Sequence, residues 1–434
     1  MAIKKWFQLT VASLLTVALV SGCGSKSESS TASTNLEDIS GDITVITQRT
    51  DIVDTVFKDY AAKFKEKYPN VNVNFEALAD YESQISIRLN TKDYGDVLLL
   101  PTSIPISDLP DFFEPLGSMD ELSKKYKGLE ERAVDGQAYG IPVAINFSGI
   151  IYNKKVFKEA GITETPRTPE QYLKALATIK SKTSAVPLYT NYASGWALTQ
   201  WESDLTTVAG TTDYVNITQP TIDNNFVAGQ PHYELYKLMY DATSQGLIEK
   251  DPTTTDWETS KVDLANGKIA TMVLGSWAID QIKSVAENKD DIGFMPFPTN
   301  ADKVIVPLAD DYTIGINVNS ENKPAAKAWV DWFTNESNYA TEQVGGVSPV
   351  IGAELPPTLK EYEGTDITFE AQTPAKAGEE GLVDKIDKEG EIGLWQPDFK
   401  KRIIEAALYK KETFDDIMKD LNDKWVAARA EVAK

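Results

Sequence analysis

"GDITVITQRTDIVDTVFKDYAAKFKEKYPNVNVNFEA" occupies residues 41–77, and its rhythm changes three times. Ile43 to Ile46 is a short β-branched run that reads as a strand. Asp51 is placed to cap a helix that carries Val53, Val56, Phe57, Tyr60, Ala61 and Phe64 on one face. Pro69-Asn70 stops that helix, and Val71 to Ala77 then alternates apolar and polar at a period of two. Further on, a second helical stretch centres on Ile85 to Leu89. "GDVLLLP" (95–101) is a continuous apolar strand of the kind buried on both faces. Strand, helix, strand, helix, strand within about 60 residues is a βαβαβ unit and predicts a parallel sheet.

The α/β texture continues along the chain. "YGIPVAINFSGIIYN" (139–153) is strand-like, and Lys154 to Ala160 and Pro169 to Lys180 are helical. Helices are also predicted over 231–245, 258–266 and 276–288. "DDYTIGINVNS" (310–320) returns to strand character, a helix runs from Pro324 to Phe333, and Phe399 to Ala433 is almost wholly helical. No internal repeat recurs at a fixed period.

Composition excludes several functions. The 434 residues are 42% hydrophobic and 25% charged, which suits a chain with a sizeable core, and the formal charge is −22. Such a surface repels phosphate backbones, so nucleic acid is not an expected partner. There is one histidine, His232, following Pro231 at an expected helix start, and it reads as a surface or capping residue. With one histidine and one cysteine, His/Cys zinc sites, Cys–His nucleophiles and Ser–His triads have no residues to build them. No Walker loop or GxGxxG occurs. "DKIDKEGEIG" (384–393) has the look of a calcium loop. Setting Gly390 at the turn, however, puts Lys385 where the first carboxylate belongs. No metal or cofactor is expected. The 65 acidic residues leave a carboxylate pair for glycoside hydrolysis open.

The single cysteine lies in "ALVSGCGSKSESSTAS" (18–33). Lys4 and Lys5 precede a mostly apolar stretch from Phe7 to Val20, roughly 14 residues against the ~20 that span a bilayer, which fits a signal-peptide core. Val20-Ser21-Gly22-Cys23 resembles a bacterial lipoprotein lipobox, in which the cysteine takes a diacylglyceryl group and becomes the first mature residue. An ordinary signal peptide with an accidental cysteine is the alternative. Residues 1–22 are thus expected to be a lipoprotein signal, and 23–40 a lipidated Cys23 with a flexible Ser-rich tether. That places the protein on the outer face of the bacterial cell membrane.

Aromatic residues are plentiful, with 9 Trp and 18 Tyr. Several stand beside Gly, Ser, Asn or Asp: "NYASGWALTQWE" (191–202), "LGSWAID" (274–280), "ADDYTIG" (309–315) and "GLWQPDF" (393–399). A sugar ring offers an apolar C–H face for a Trp plane, and a rim of hydroxyls for amides, carboxylates and guanidinium groups. Each Trp taken alone can equally be core.

These stretches sit inside a wider likeness. "AYGIPVAINFSGIIYNKKVFKEAGITETPRTPEQYLKAL" (138–176) resembles the extracellular solute-binding proteins of the carbohydrate class, receptors of ABC importers. "FKEKYPNVNVNFE" (64–76), "LANGKIATMVLGSW" (264–277), "DIGFMPFP" (291–298) and "YTIGINVNSENKPAAKAWVDWF" (312–333) follow in the family's order, over almost the whole chain from Gly41. The resemblance implies a two-lobed, type II periplasmic-binding-protein-like α/β fold. Its parallel-type sheets are flanked by helices, and its hinge crosses more than once. One lobe would take 41–144 plus 310–345, the other 145–309 plus 346–434. Gln48, Arg49, Asn146, Trp196, Trp277, Asp311, Tyr312 and Trp395 fall where relatives contact ligand. Gly-Ser-Trp at 275–277 matches the family's Gly-x-Trp. An acid stands at the position of Asn146 in maltose-binding relatives, and "LLLPTSIP" (98–105) replaces polar or aromatic contacts, which argues against a maltose-type ligand. The implied function is binding without catalysis by a monomer, with a mono- or oligosaccharide as ligand and the permease membrane subunits as partners. A lipid-anchored glycoside hydrolase, or a same-fold receptor for a non-sugar solute or a signalling partner, are the rival readings.

Overall fold

The computed structural model describes residues 36–101, 104–376 and 378–432. Cys23, the expected leader and the tether up to residue 35 lie outside the described residues. Among those described, no helix is long and apolar enough to cross a membrane.

The opening unit forms as its periodicity demands. Strand Gly41–Thr47 pairs in parallel with Val71–Ala77 on one side and with Val97–Leu99 on the other. The intervening helix, Val56–Lys67, buries Phe57, Tyr60 and Phe64. It starts later than the sequence suggests, because the Asp51 carboxylate is taken by Arg49 through two bonds of 2.8 Å and cannot cap. Strand Thr313–Asn317 returns from far along the chain and adds antiparallel to Val97–Leu99, completing a sheet that also includes Phe113–Glu114 and Ile141–Pro142. Helix Lys323–Glu336 closes one face with Trp329, Trp332 and Phe333. Phe64 meets Trp329 edge-on at 5.2 Å, and Phe57 meets Phe75 at 5.2 Å. Each such pair contributes about 0.5–1.5 kcal/mol beyond area burial.

The second sheet is mixed. Its central strand Ile145–Asn153 runs antiparallel to Ile269–Gly275, Ile292–Met295 and Val304–Asp310. Val186–Leu188 and Ile367–Ala371 add in parallel at the edges. Asn153 ends the central strand and caps the next helix, Lys154–Ala160: its Oδ1 accepts from Val156 N at 3.0 Å and its Nδ2 donates to Leu264 O at 2.9 Å. Gly161, at φ 77°, closes that helix in the left-handed conformation that glycine adopts at least cost. The C-terminal helical stretch breaks into Asp398–Tyr409 and Phe414–Val432 around Lys410, whose φ is +53°.

One core is built from residues between Ile43 and Ala144 and between Ile314 and Val344. Two further clusters draw on Ile145 to Val306 and on Val347 to Ala428. The chain passes between the two sheets at Val143–Ile145, at Asp311–Tyr312 and near Val347. These passes are stitched together: Val143 N donates to Tyr312 O and Asp311 N to Ala144 O, both at 2.9 Å, while Ile145 and Val347 exchange two bonds of 2.8 Å. A ladder of three short segments resists twisting and shear more than a single strand would, yet leaves one line about which the sheets can rotate.

Candidate functional site

Three tryptophans from separate parts of the chain meet at the hinge. Each opens a helix: Trp196–Thr199 after the Gly195 turn, Trp257–Ala265 behind the Asp256 cap, and Trp277–Ser284 after the fully buried strand Ile269–Gly275. The rings of Trp196 and Trp257 stand 5.2 Å apart at 81°. Trp277 lies 5.6 Å from both, inclined at 53° to Trp196 and 59° to Trp257. They form a corner instead of a stack. Trp196 remains 38% exposed, so the corner retains a face that solvent or ligand can reach. The Gly-Ser-Trp spacing has a steric cause, since a Cβ on Gly275 would sit 2.6 Å from Trp277 Nε1. Trp277 packs against the first lobe's core as well as its own, so it bridges the two sides. Lys261 Nζ lies 5.2 Å from the Trp257 ring and 2.8 Å from Glu258.

The opposite wall is polar and ordered. Arg49, in the loop after the first strand, grips Asp51 with two bonds and donates to Tyr339 Oη at 3.3 Å and to Gln343 O at 3.1 Å. Burial alone would make its charge costly, but Asp51 and Tyr339 more than offset this, and its proton is held more tightly than usual. Hydrogen bonding from Arg49 lowers Asp51 in turn, with a small contribution from Lys261 of the other lobe. Burial raises Tyr339 to about 12, although Arg49 pulls the other way. Burial likewise raises Asp280, which feels Arg49 across the gap. Gln48 is partly exposed, and its Oε1 accepts from Thr47 Oγ1 at 3.2 Å.

The hinge residues are tied to each other. Ser276 Oγ donates to Asn146 Oδ1 at 2.9 Å and accepts from Phe147 N at 3.2 Å. Asn146 is also hydrogen-bonded to Asp311, whose Oδ1 accepts from Tyr312 N at 2.7 Å. Burial nevertheless raises the Asp311 carboxyl. Tyr312 meets Tyr81 edge-on at 5.8 Å, and burial followed by Glu82 pushes its hydroxyl up. Beside these, Asp310 is raised to about 8, first by burial and then by Glu131, Glu130 and Asp311. Its carboxylate lies where a Cβ on Gly128 would be, at 2.2 Å, which is why that position is a glycine.

Of the residues expected from sequence, Trp196 and Trp277 share the corner, and Asn146 and Asp311 share the hinge network. Arg49 and Tyr312 stand on the facing lobe. Trp395 lies on the loop before helix Asp398–Tyr409 and is 51% exposed; two residues on, Pro397 is 3.5 Å from where a Cβ on Gly195 would be. Trp257 was missed, although it follows Asp256 among threonines and meets the same criterion that singled out the others. Asp51, Lys261 and Tyr339 were missed because nothing in their local sequence separates them from ordinary surface or core residues. The reading of His232 as a surface or capping residue is corrected. It is fully buried, and its Nε2 lies 2.8 Å from Glu202 Oε1. The helix Pro231–Ser244 packs that face inward, where Glu202 also bonds the Tyr236 hydroxyl.

Residues 50–340 match the model of the bacterial extracellular solute-binding protein family. The chain belongs to that family. The solute-binding fold is shared with a manno-oligosaccharide specific solute binding protein of Bifidobacterium animalis subsp. lactis in complex with mannotriose. That protein is 36% identical, with a TM-score of 0.83 over 91% of this chain and 96% of the other. A second binding protein of an ABC transporter from the same organism, in complex with mannobiose, is also 36% identical, with a TM-score of 0.83 over 92% and 96%. The multiple sugar-binding protein of Streptococcus mutans is 25% identical over 65% of this chain and 68% of its own length. The type II, two-lobed architecture of these solute-binding proteins is therefore that of this chain.

Proposed function

We propose that the protein is the extracellular sugar-receiving subunit of an ABC importer, and that its ligand is a short manno-oligosaccharide. The observation that carries this reading is the Trp196–Trp257–Trp277 corner, set against a polar wall on the other lobe in a chain 36% identical to mannotriose- and mannobiose-bound proteins. Three inclined indoles suit the C–H faces of a bent sugar chain. Arg49, Asn146, Asp311 and Tyr312, with Gln48 at the loop, suit its hydroxyls, and Trp395 extends the aromatic surface.

The lobes divide as 41–144 plus 310–345 and 145–309 plus 346–434. Sugar that touches both walls binds the closed arrangement better than the open one and draws the equilibrium toward it. The closed form is what the permease subunits receive. Cys23 anchors the protein through its lipid, and the folded lobe begins by Leu36–Asp38, where Asn70 Nδ2 donates to Glu37 O at 2.8 Å. Binding is the whole of the activity. Asp51 is held by Arg49, and Asp311 by Asn146 and Tyr312 N, which fixes both as parts of a binding wall.

A thermal-shift panel of mannobiose, mannotriose, maltotriose, raffinose and chitobiose tests the assignment. Mannobiose or mannotriose is expected to raise the melting temperature most, by the linkage of binding to stability. A flat response to the whole panel would refute the sugar reading. Release of reducing ends from mannotriose would restore the hydrolase.

A further inference from the structure

Lys400 is 0% exposed, which is rare for a lysine. From the first turn of helix Asp398–Tyr409 its Nζ donates to three backbone carbonyls of the preceding loop: Gly393 at 3.2 Å, Gln396 at 2.9 Å, and Leu394. All three ammonium protons are used. The same loop is held from its N–H side as well, where Gly393 N and Leu394 N donate to Asp387 Oδ1 at 2.8 and 2.9 Å. Between these attachments stands Trp395, half exposed, while its neighbour Leu394 is 1% exposed. The loop is docked on the Gly195 turn through Pro397, and that turn leads directly into Trp196.

An ammonium buried in this way is costly. Burial depresses Lys400 to about 8, opposed by Glu202, Asp387 and Asp398. Glu202 is itself buried. Burial works against its charge, but His232, Lys400 and Tyr236 together hold it ionised, below the usual carboxylate range. The ammonium also lies 4.0 Å from the Phe399 ring and 5.8 Å from that of Tyr236. An apolar side chain of similar length would fill the space without the desolvation penalty. What the charge supplies, and a methionine would not, is a fixed path for the backbone on both sides of Trp395.

We propose that Lys400, with Asp387, is a positioning residue for ligand recognition: it locks the Gly393–Gln396 backbone so that Trp395 stands preformed beside the Trp196 turn, as a further stacking surface for the sugar. The proposal rests on the reading of the tryptophan corner as the sugar site. A preformed side chain binds without the ordering penalty that a loose one carries, and for one large side chain that penalty is about tenfold in affinity.

The experiment compares Lys400→Met, Trp395→Ala and the double variant, using calorimetric affinity for mannotriose. Each single change is expected to weaken binding about tenfold. The double variant should be no weaker than Trp395→Ala alone, because Lys400 acts only through Trp395. Losses that multiply would overturn the proposal, since a general structural role adds to the loss of Trp395. A second readout needs no ligand. Trp395 emission, isolated by difference from Trp395→Phe, should show slow anisotropy decay in the wild type and gain a fast, nanosecond component in Lys400→Met. Unchanged anisotropy would overturn the proposal, and if mannotriose does not bind the wild type, the function fails while this measurement still decides the role of Lys400. Should Lys400→Met not fold, Asp387→Ala releases the other side of the loop and must loosen Trp395 in the same way; a Trp395 as rigid as in the wild type would refute the lock.

Discussion

Trp277→Ala tests binding and folding at one residue. Trp277 makes two aromatic contacts at 5.6 Å and packs on both lobes, yet it is only partly buried. Two such pairs at about 0.5–1.5 kcal/mol each, beyond area burial, give a stability loss of at least about 2 kcal/mol. For a cooperative unit of roughly 200 residues, that is a fall in melting temperature of about 4–8 °C. The binding effect is of similar size. A central aromatic anchor costs about 2 kcal/mol when truncated, a factor of about 30 in Kd. At a mannotriose concentration near 100 times the wild-type Kd, ligand stabilises the wild type by about 2.7 kcal/mol. With Kd raised 30-fold the same concentration contributes only about 0.9 kcal/mol. The assay is differential scanning fluorimetry of both proteins with and without mannotriose, and the ligand-induced shift should shrink about threefold. A variant whose apo melting temperature drops while its ligand-induced shift stays intact would show that Trp277 is core alone.

Three further outcomes are expected. Asp310, raised to about 8, keeps its proton in the folded chain at pH values where the unfolded chain has lost it, so its contribution to stability falls as pH rises from about 4 toward 8. Asp310→Asn should therefore flatten the urea midpoint between pH 5 and 9 and raise it at pH 9; parallel profiles would refute the assignment. Asn153→Ala removes a helix cap and the side-chain bond to Leu264 O, which keeps its backbone donor Gly267 N, so a loss of about 1–2 kcal/mol by urea denaturation is expected, and a change under 0.5 kcal/mol would contradict it. Cys23→Ser should move the protein from the membrane fraction to the medium with mannotriose affinity unchanged, and retention in the membrane fraction would remove the lipid anchor.

Much of the fold was legible because its signals are local. The alternation at 71–77, the apolar run at 95–101 and the amphipathic face from Val56 to Phe64 each declare an element within a few residues, and the structure forms all three. Where the reading failed, a distant or competing partner decided the matter. Asp51 has the chemistry of a cap, but Arg49 claims its carboxylate and the helix begins at Val56. His232 looked superficial because it follows Pro231 at a helix start, whereas Glu202, a residue on another element, draws it into the interior.

The candidate site divides along the same line. Sequence alone determined that several tryptophans stand beside Gly, Ser, Asn or Asp, that Gly275 precedes Trp277, and that the opening βαβαβ order builds a parallel sheet. Only the tertiary structure decided that Trp196, Trp257 and Trp277 share one corner, and that Arg49 faces them from a lobe completed by Thr313–Asn317. Propensity and periodicity act over a few residues along the chain. Angles between rings and partners for buried charges are set by packing between segments that meet only once both lobes have closed their sheets.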